Sequence, residues 1–371
     1  MFLQREKIVG CYYTVSLPSD DYFLLEVKDI DTSLCSHIYY NFASISANAS
    51  IIINDPNAAT EEGGLKQFND LRKKNPMLKT LGTMECNEFT MTSADNINNA
   101  PLTDPKLRQK LVSNIVNYTK KYRFNGVDIN YSDLPQHGGH PADKENFVLL
   151  LKALRERFDK ENLILSVAVD PKEATAKILY DIKGISRYVN FINLKTFGFH
   201  GSSDADKKDG VGHNSPLYPS SKENAKERKK NIDYVVKYWI SQGAPRGKLI
   251  LGTASHGTSY TLANPKKFGR GAPFTKEGKF GNQMTYFSFC YMIKTWNYFY
   301  DPEQQVPYIH KGHETITYDD VRSIKAKAKY VQDMHLGGAM LYKIDHDDYR
   351  GDCGEKFPLL KTLNQVLRNE C

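Results

Sequence analysis

The chain has 371 residues, of which 40% are hydrophobic and 12% aromatic, so it is able to bury a large core. Lys and Arg number 50 against 43 Asp and Glu, and the resulting net charge of +7 is scattered along the chain. The densest basic stretch, AKERKK at 225–230, has no interleaved aromatic residues, so we interpret it as a solvated helix face and expect no nucleic-acid partner. No apolar run reaches membrane-spanning length, which excludes a membrane protein of that kind.

Short apolar runs rich in β-forming residues recur along the chain and are separated by longer helical or looped stretches. This pattern predicts parallel strands joined by crossovers, and eight such runs match an α/β fold of the (β/α)8 TIM barrel class. The predicted strands are 7–13, 37–42, 79–84, 126–131, 163–169, 191–197, 249–254 and 338–344. Amphipathic stretches such as 146–158 and 232–242 predict the outer helices.

The interval 257–324 breaks this rhythm, because it is rich in aromatic and turn residues. Segments such as MTYFSF (284–289) and VPYIH (306–310) alternate like antiparallel strands. We therefore predict a small α+β insertion after the seventh strand, which divides the chain into 1–256, 257–324 and 325–371. The polar, glycine-rich stretch 198–222 predicts a long loop at the barrel mouth, where barrels carry their functional sites.

The cysteines are widely spaced and include no CxxC pair, so neither a zinc site nor a redox motif is indicated. They are Cys11, Cys35, Cys86, Cys290, Cys353 and Cys371. Such spacing is typical of disulfides in an oxidising compartment, and we predict a secreted protein without metal or cofactor. Asn48 and Asn117 lie in N-x-S/T sequons and are predicted glycosylation sites. The N-terminus MFLQREK lacks the apolar stretch of a signal peptide, so we expect the mature form.

Several segments together carry a family resemblance, among them KIVGCYYT (7–14), SHIYYNFA (36–43), FNGVDIN (124–130) and LGGAM (336–340). Through them the chain resembles the family 18 glycoside hydrolases and the chitinase-like lectins, and it looks most similar to the chitinase-like allergens of mites. The resemblance extends over nearly the whole chain. It implies the barrel, the insertion, and the disulfides Cys11–Cys35 and Cys290–Cys353, and it leaves Cys86 and Cys371 without an evident partner.

The family carries a line of acids, DGxDxDxE, on its fourth strand, where alternate residues point into the barrel. The final Glu protonates the glycosidic oxygen, and the middle Asp orients the acetamido group of the substrate. In this chain the motif reads Asn125-Gly126-Val127-Asp128-Ile129-Asn130-Tyr131-Ser132, so only Asp128 keeps its carboxylate. A serine hydroxyl cannot act as the general acid near neutral pH, and the resemblance therefore implies a protein that does not hydrolyse chitin.

The family's sixth-strand sequence MxYD is altered as well, and it reads Lys195-Thr196-Phe197-Gly198 in this chain. Phe197 and Gly198 lack the hydroxyl and the carboxylate that hold the acetamido group. Lys195 inside the mouth would need a partner, for which Asp128 is a candidate; alternatively its ammonium reaches water. One route to activity stays open, in which the motif slips by one residue and Asp133 supplies the acid.

Sugar binding is predicted to be reduced together with catalysis, because the family's stacking tryptophans are replaced by Ser16, Cys86, Ser203 and Tyr342. The bulky pair Met84-Glu85 stands where two glycines are expected. The remaining candidates for sugar contact are Tyr12, Phe42, Glu85, Asp128, Tyr131, Lys195, His256 and Tyr342. Two hypotheses follow: an inactive chitinase-like protein that binds chitin or chito-oligosaccharides weakly, or a protein-binding barrel with no sugar ligand.

Overall fold

The computed structural model describes residues 6–14, 25–53, 60, 63–86, 100–132 and 142–368, apart from the side chain of Phe42. Its strands are β1 (Ile8–Thr14), β2 (His37–Ile45), β3 (Ile51–Ile53), β4 (Lys79–Glu85), β5 (Gly126–Asn130), β6 (Ile164–Val169), β7 (Phe191–Leu194), β8 (Leu249–Ala254), β9 (His256–Leu262), β10 (Phe274–Glu277), β11 (Met284–Thr285), β12 (Asn297–Asp301), β13 (Val306–Lys311), β14 (Glu314–Thr317) and β15 (Gly338–Tyr342). Its helices are α1 (Gly64–Lys74), α2 (Ala100–Thr103), α3 (Pro105–Lys121), α4 (Asp143–Glu161), α5 (Glu173–Leu179), α6 (Ile182–Tyr188), α7 (Ile232–Ser241), α8 (Tyr286–Phe289), α9 (Val321–Asp333) and α10 (Pro358–Arg368).

Eight parallel strands form a closed barrel surrounded by helices, and this confirms the predicted (β/α)8 class. The strand order is β1-β15-β8-β7-β6-β5-β4-β2, and β1 pairs with β2 to close the barrel. Every residue of β5 and of β8 is buried, as expected for parallel strands that are covered on both faces. The predicted strands agree with the observed ones to within about three residues.

Two strand ends differ by three residues: β2 continues to Ile45, beyond the predicted end at residue 42, and β7 ends at Leu194, before the predicted end at Phe197. After Leu194, hydrogen bonds with side chains replace the strand pairing. The Thr196 hydroxyl donates to the carbonyl of Gly252, and the backbone carbonyl of Thr196 accepts from the Ser215 hydroxyl at 2.7 Å. Lys195 and Phe197 therefore lie beyond the strand.

Helix boundaries follow ordinary capping chemistry. Before α3, the Asp104 carboxylate accepts from the backbone N–H of Lys106 at 2.7 Å, and Pro105 occupies the first turn. Before α9, Asp320 caps the N–H groups of Arg322 and Ser323.

The basic stretch AKERKK contains only a three-residue 3₁₀ helix, Glu227–Lys229, so the predicted helix face there is wrong.

The predicted insertion contains an antiparallel sheet of order β10-β9-β14-β13-β12, with β11 paired to β9. The segment MTYFSF is a strand only at Met284–Thr285 and continues as the short helix α8, so its alternation did not signal a strand throughout. The boundaries 1–256, 257–324 and 325–371 remain a prediction.

The chain divides into two compact units. One consists of Gly10–Leu194 and Trp239–Ile250, the other of Met1–Val9, Lys195–Tyr238 and Leu251–Cys371. The first contains the disulfide Cys11–Cys35 and the second contains Cys290–Cys353, the two pairs expected from the resemblance. No helix in the described part of the chain is both long and apolar enough to cross a membrane.

A substitution at Gly126, the first residue of β5, tests the pairing of β5 with β6. An added Cβ would lie 2.0 Å from the backbone oxygen of Ile164, a contact that neither strand relieves without moving. We expect Gly126→Ala to lower the free energy of unfolding by about 2–3 kcal/mol in chemical denaturation. Gly247→Ala is the matched control, because nothing lies within 4 Å of its added Cβ, and equal losses for the two variants would contradict the packing described.

Candidate functional site

The carboxylate of Asp128 lies in the barrel interior and has no exposed surface. Alternation along β5 and its register with β6 place Asp128 opposite Ser166. The carboxylate accepts hydrogen bonds from the Tyr12 hydroxyl at 2.7 Å, the Ser166 hydroxyl at 2.6 Å and the Asn193 amide at 3.1 Å. Three strands besides β5 thus supply or support its donors, and Asp128 is held in a single orientation.

Burial raises the pKa of Asp128 from its ordinary 3.8 to about 6. The hydrogen bonds from Ser166, Tyr12 and Asn193 oppose this rise, and the nearby Glu85 carboxylate adds to it. Asp128 therefore remains largely ionised at pH 7 but takes up a proton in mildly acidic solution.

Glu85 and Asn130 face each other at the carboxyl ends of β4 and β5. The Asn130 amide donates a hydrogen bond of 2.6 Å to Oε2 of Glu85. Ser132 follows two residues later and is buried, with 5% of its surface exposed. The resemblance predicts that two acids are lost, at Asn130 and at Ser132. The Asn130 position holds an amide that is bonded to the Glu85 carboxylate, and the Ser132 position holds a buried hydroxyl.

Asn125, the first position of the same motif, lies at the opposite end of β5. Its Oδ1 accepts from the backbone N–H of Thr80 at 2.9 Å and from Nη1 of Arg72 at 3.2 Å. Five residues of strand at about 3.3 Å each separate it from Asn130, so the two ends of the motif are roughly 16 Å apart. Asn125 therefore serves the amino end of the barrel and not its mouth.

The aromatic candidates of this unit lie in different places. Tyr12 is 2% exposed and stacks on Tyr39, with ring centroids 4.3 Å apart, so it fills the barrel while it holds Asp128. The ring of Tyr131 packs against Phe147 of α4 at 4.6 Å, on the helix side of the barrel wall, and is not brought together with Asp128. The side chain of Phe42 lies outside the described part of the structure, as do Ser16 and Asp133.

The second unit gathers three other predicted residues into one aromatic cluster. Phe197 stacks on Tyr342 with ring centroids 5.2 Å apart, and His256 meets the edge of Phe197 at 5.6 Å. Gly198 follows in the left-handed region with φ of 67°, and its N–H donates to Asn214 at 3.0 Å. The one aromatic ring kept at a family stacking position therefore already has a ring partner.

Two ammonium groups lie over the same Tyr342 ring. The Nζ of Lys195 is 5.6 Å from the ring centroid and that of Lys343 is 5.7 Å away, both within cation–π range. Burial, with Lys343 as a second cause, lowers the pKa of His256 to about 4, so its imidazole is neutral at physiological pH. The predicted pairing of Lys195 with Asp128 stays a prediction.

Sequence reasoning missed Ser166, Asn193, Tyr39 and Lys343. Ser166 and Asn193 are single polar residues inside apolar strands, and that interruption was the available signal for an interior polar contact. Lys343 follows the last barrel strand directly, and its only signal was its adjacency to Tyr342.

The remaining predicted positions concern modification and metal binding. Asn48 and Asn117 are both exposed, whereas Thr119 of the second sequon is fully buried and donates to the carbonyl of Ile115 at 2.7 Å. Cys86 is a buried thiol whose pKa is raised by burial, and Cys371 lies outside the described residues. Among the described residues, the one cluster with metal-ligand geometry is Cys290, Asp348 and Cys353, and its sulfurs form a disulfide.

Comparison with known sequences gives a match over almost the whole chain to one family, described as "Glycosyl hydrolases family 18", at residues 8–347. Chitotriosidase-1 of Mus musculus is 32% identical over 364 residues, which cover 92% of this chain and 73% of that protein. Chitinase-3-like protein 2 of Homo sapiens is 31% identical over 360 residues, which cover 92% of this chain and 87% of that protein.

Solved structures of similar proteins include both hydrolases and a pseudo-enzyme. The Group IV chitinase of Ostrinia furnacalis, in complex with allosamidin, aligns with a TM-score of 0.88 at 32% identity and covers 98% of this chain and 99% of that one. Human YKL-39, described as a pseudo-chitinase with retained chitooligosaccharide binding, aligns with a TM-score of 0.83 at 28% identity and covers 97% and 99% of the two chains.

The raised pKa of Asp128 predicts a pH-dependent stability difference. The folded state binds a proton at Asp128 more tightly than the unfolded state, so this group lowers stability as pH rises from about 4 to about 6, and its full cost remains above that range. The stability of Asp128→Asn minus that of wild type should therefore increase by about 2–3 kcal/mol between pH 4 and pH 7. The hydrogen bonds that the variant loses change this difference by a constant amount at all these pH values.

Unfolding curves at a series of pH values measure this gain. Asp352→Asn, which removes one exposed carboxylate, is the matched control. A difference between wild type and Asp128→Asn that stays constant from pH 4 to pH 7 would contradict the assignment.

Proposed function

Because the chain belongs to family 18 of the glycosyl hydrolases, we propose that it is an extracellular, non-hydrolytic member that binds chito-oligosaccharides weakly. The observation that carries the proposal is the hydrogen bond of 2.6 Å between the Asn130 amide and Glu85. It occupies the position from which a family carboxylate would orient the substrate's acetamido group. An uncharged amide there cannot stabilise the cation that forms when the glycosidic bond breaks.

The lost proton donor supports the same proposal. A general acid must carry a proton at working pH and deliver it to the leaving oxygen, and the Ser132 hydroxyl does not lose its proton near neutral pH. Glu85 is a carboxylate near this position, but its Oε2 already accepts from Asn130. Phe197, packed against Tyr342, offers no hydroxyl to hold the acetamido group. Three separate roles of the hydrolytic reaction thus lack their groups.

Retained sugar binding is supported by the aromatic cluster and by a relative. Tyr342 and Phe197 are both half-buried, so part of each ring is open to solvent, and pyranose C–H faces stack on such rings. YKL-39 is a relative described as having lost hydrolysis while keeping chitooligosaccharide binding. We transfer that combination to this chain, and the two disulfides support its placement in an extracellular, oxidising compartment.

A protein-binding barrel with no sugar ligand is the second candidate. One observation favours it: the face of Tyr342 is approached by the Phe197 ring and by two ammonium groups before any ligand arrives. A sugar would have to displace some of these contacts. The binding experiment below separates the two candidates.

We expect no release of product from fluorogenic chito-oligosaccharides above a blank without protein. Restoring one acid as Ser132→Glu should leave the protein inactive, and adding Asn130→Asp should give at most a trace, because members of one catalytic unit act non-additively. Robust hydrolysis by Ser132→Glu alone would show that only the acid was lost. Wild-type activity that Asp133→Ala abolishes would instead establish the slipped motif and overturn the proposal.

Binding is tested by the melting temperature in the presence of chitohexaose. A ligand at ten times its Kd stabilises the folded state by about 1.4 kcal/mol, so the melting temperature should rise with chitohexaose and not with maltohexaose. Tyr342→Ala should abolish the rise. Tyr291→Ala is the matched control, because that ring is 56% exposed and belongs to no cluster described above. The absence of any rise in wild type would favour the protein-binding barrel.

A further inference from the structure

A basic cleft lies at the amino ends of β4 and β5, at the opposite end of these strands from Glu85 and Asn130. It has a volume of about 940 Å³ and is formed by α1, the segment that enters β4, and the connection from α3 to β5. Among the described residues, its charged lining consists of Lys66, Asp70, Arg72, Lys73, Lys121 and Arg123, five cations against one carboxylate. This concentration of positive charge in a concave surface favours an anionic ligand.

Arg72 forms the fixed part of the cleft. Its Nε donates to the carbonyl of Asn69 at 3.2 Å, its Nη1 to Oδ1 of Asn125 at 3.2 Å, and its Nη2 to the carbonyl of Arg123 at 2.5 Å. All three acceptors are uncharged. These three hydrogen bonds hold the guanidinium in the cleft lining without a carboxylate acceptor among them, and the nearest acidic influence on it is the Asp70 carboxylate.

Asn125 determines whether the Arg72 guanidinium has an acidic neighbour at the start of β5. The family motif begins with Asp at this position, and an Asp carboxylate beside Arg72 would neutralise the guanidinium. In this chain Oδ1 of Asn125 keeps the acceptor role toward Arg72 and Thr80, whereas Nδ2 donates no hydrogen bond within the described residues. The substitution thus removes a negative charge and adds an N–H donor to the cleft.

The cations of the rim are exposed and carried on long side chains. Lys73 and Lys66 share the carboxylate of Asp70, at 2.9 and 3.6 Å. The ammonium of Lys121 lies 4.9 Å from the centroid of the Tyr122 ring. The exposed guanidinium of Arg123 has no ion-pair partner in the described part of the chain. One carboxylate is shared between two of these groups, so the described part of the rim carries more positive than negative charge.

We propose that this cleft binds a carbohydrate bearing several sulfate or phosphate esters, independently of the barrel mouth. Multiple cations match such esters, and the amide of Asn125 matches sugar hydroxyls. The cleft volume accommodates a short oligosaccharide. Tyr122 is the single aromatic side chain among the described lining residues, and one ring does not form a stacking platform for successive bases of a nucleic acid.

The probes are a fluorescent heparin hexasaccharide, the same hexasaccharide without sulfates, inositol hexakisphosphate as competitor, and a single-stranded oligonucleotide of equal charge. Anisotropy at low and at physiological salt measures the affinity of the full chain. Wild type should bind the sulfated probe, with an affinity that falls as salt rises. Competition by inositol hexakisphosphate distinguishes phosphate from sulfate recognition, and either preference supports the cleft as a site for esterified carbohydrates.

Two variants and a control locate the binding. Lys73→Gln with Arg123→Gln should weaken binding about tenfold or more, because two rim charges are removed. Asn125→Asp is isosteric, retains the acceptor for Arg72 and Thr80, and should weaken binding about three- to tenfold through charge alone. Lys226→Gln with Lys325→Gln removes the same charge from two exposed positions outside the cleft and should change affinity less than twofold.

Three results would overturn the proposal: equal binding of the desulfated hexasaccharide, tighter binding of the oligonucleotide through the same residues, or equal losses in the cleft variants and the control. Melting temperatures of all variants verify folding, and Asn125→Asp tests the charge even if the double variant is unstable. None of these measurements uses chitohexaose, so their outcome is separate from that of the proposed function.

Discussion

A carboxylate that cannot reach water must be given hydrogen-bond donors by the protein, and Asp128 imposes this constraint on the barrel interior. Its donors come from β1, β6 and β7, so the three strands must keep the register that brings Tyr12, Ser166 and Asn193 to it. Burial still leaves the ionised form at a disadvantage. The barrel therefore contains one acid whose position is maintained by the packing and hydrogen bonds of three neighbouring strands.

The residues that differ from the family's motifs make well-packed contacts of their own. Asn130 and Glu85 satisfy each other across β4 and β5, and the Phe197 ring packs on Tyr342. Each replacement finds a partner of its own within the same compact unit. Unsatisfied buried polar groups would have been costly, and these contacts avoid that cost.

The sequence predicted the barrel well, because strand periodicity and length are local properties that the eight apolar runs express directly. It also predicted Asp128 and Asn130 on one side of β5, since alternation along a strand needs no knowledge of its neighbours. It could not predict Ser166 and Asn193 as donors, because their proximity depends on the register between strands. The sequence analysis also did not predict that Asn125 lies at the opposite end of β5 from Asn130, because it treated the motif as one site and did not consider the length of the strand.

The exposed Asn117 and the buried Thr119 on α3 constrain when modification takes place. A transferase that recognises both residues of an N-x-T sequon needs the threonine hydroxyl, yet in the folded helix that hydroxyl is fully buried and bonded to Ile115. Any glycan on Asn117 must therefore be attached while this segment is still unfolded, as the chain emerges during synthesis. The fraction of chains glycosylated at Asn117 would then depend on the rate of glycan transfer relative to the rate at which α3 packs onto the barrel. A faster-folding barrel would carry less sugar at that position.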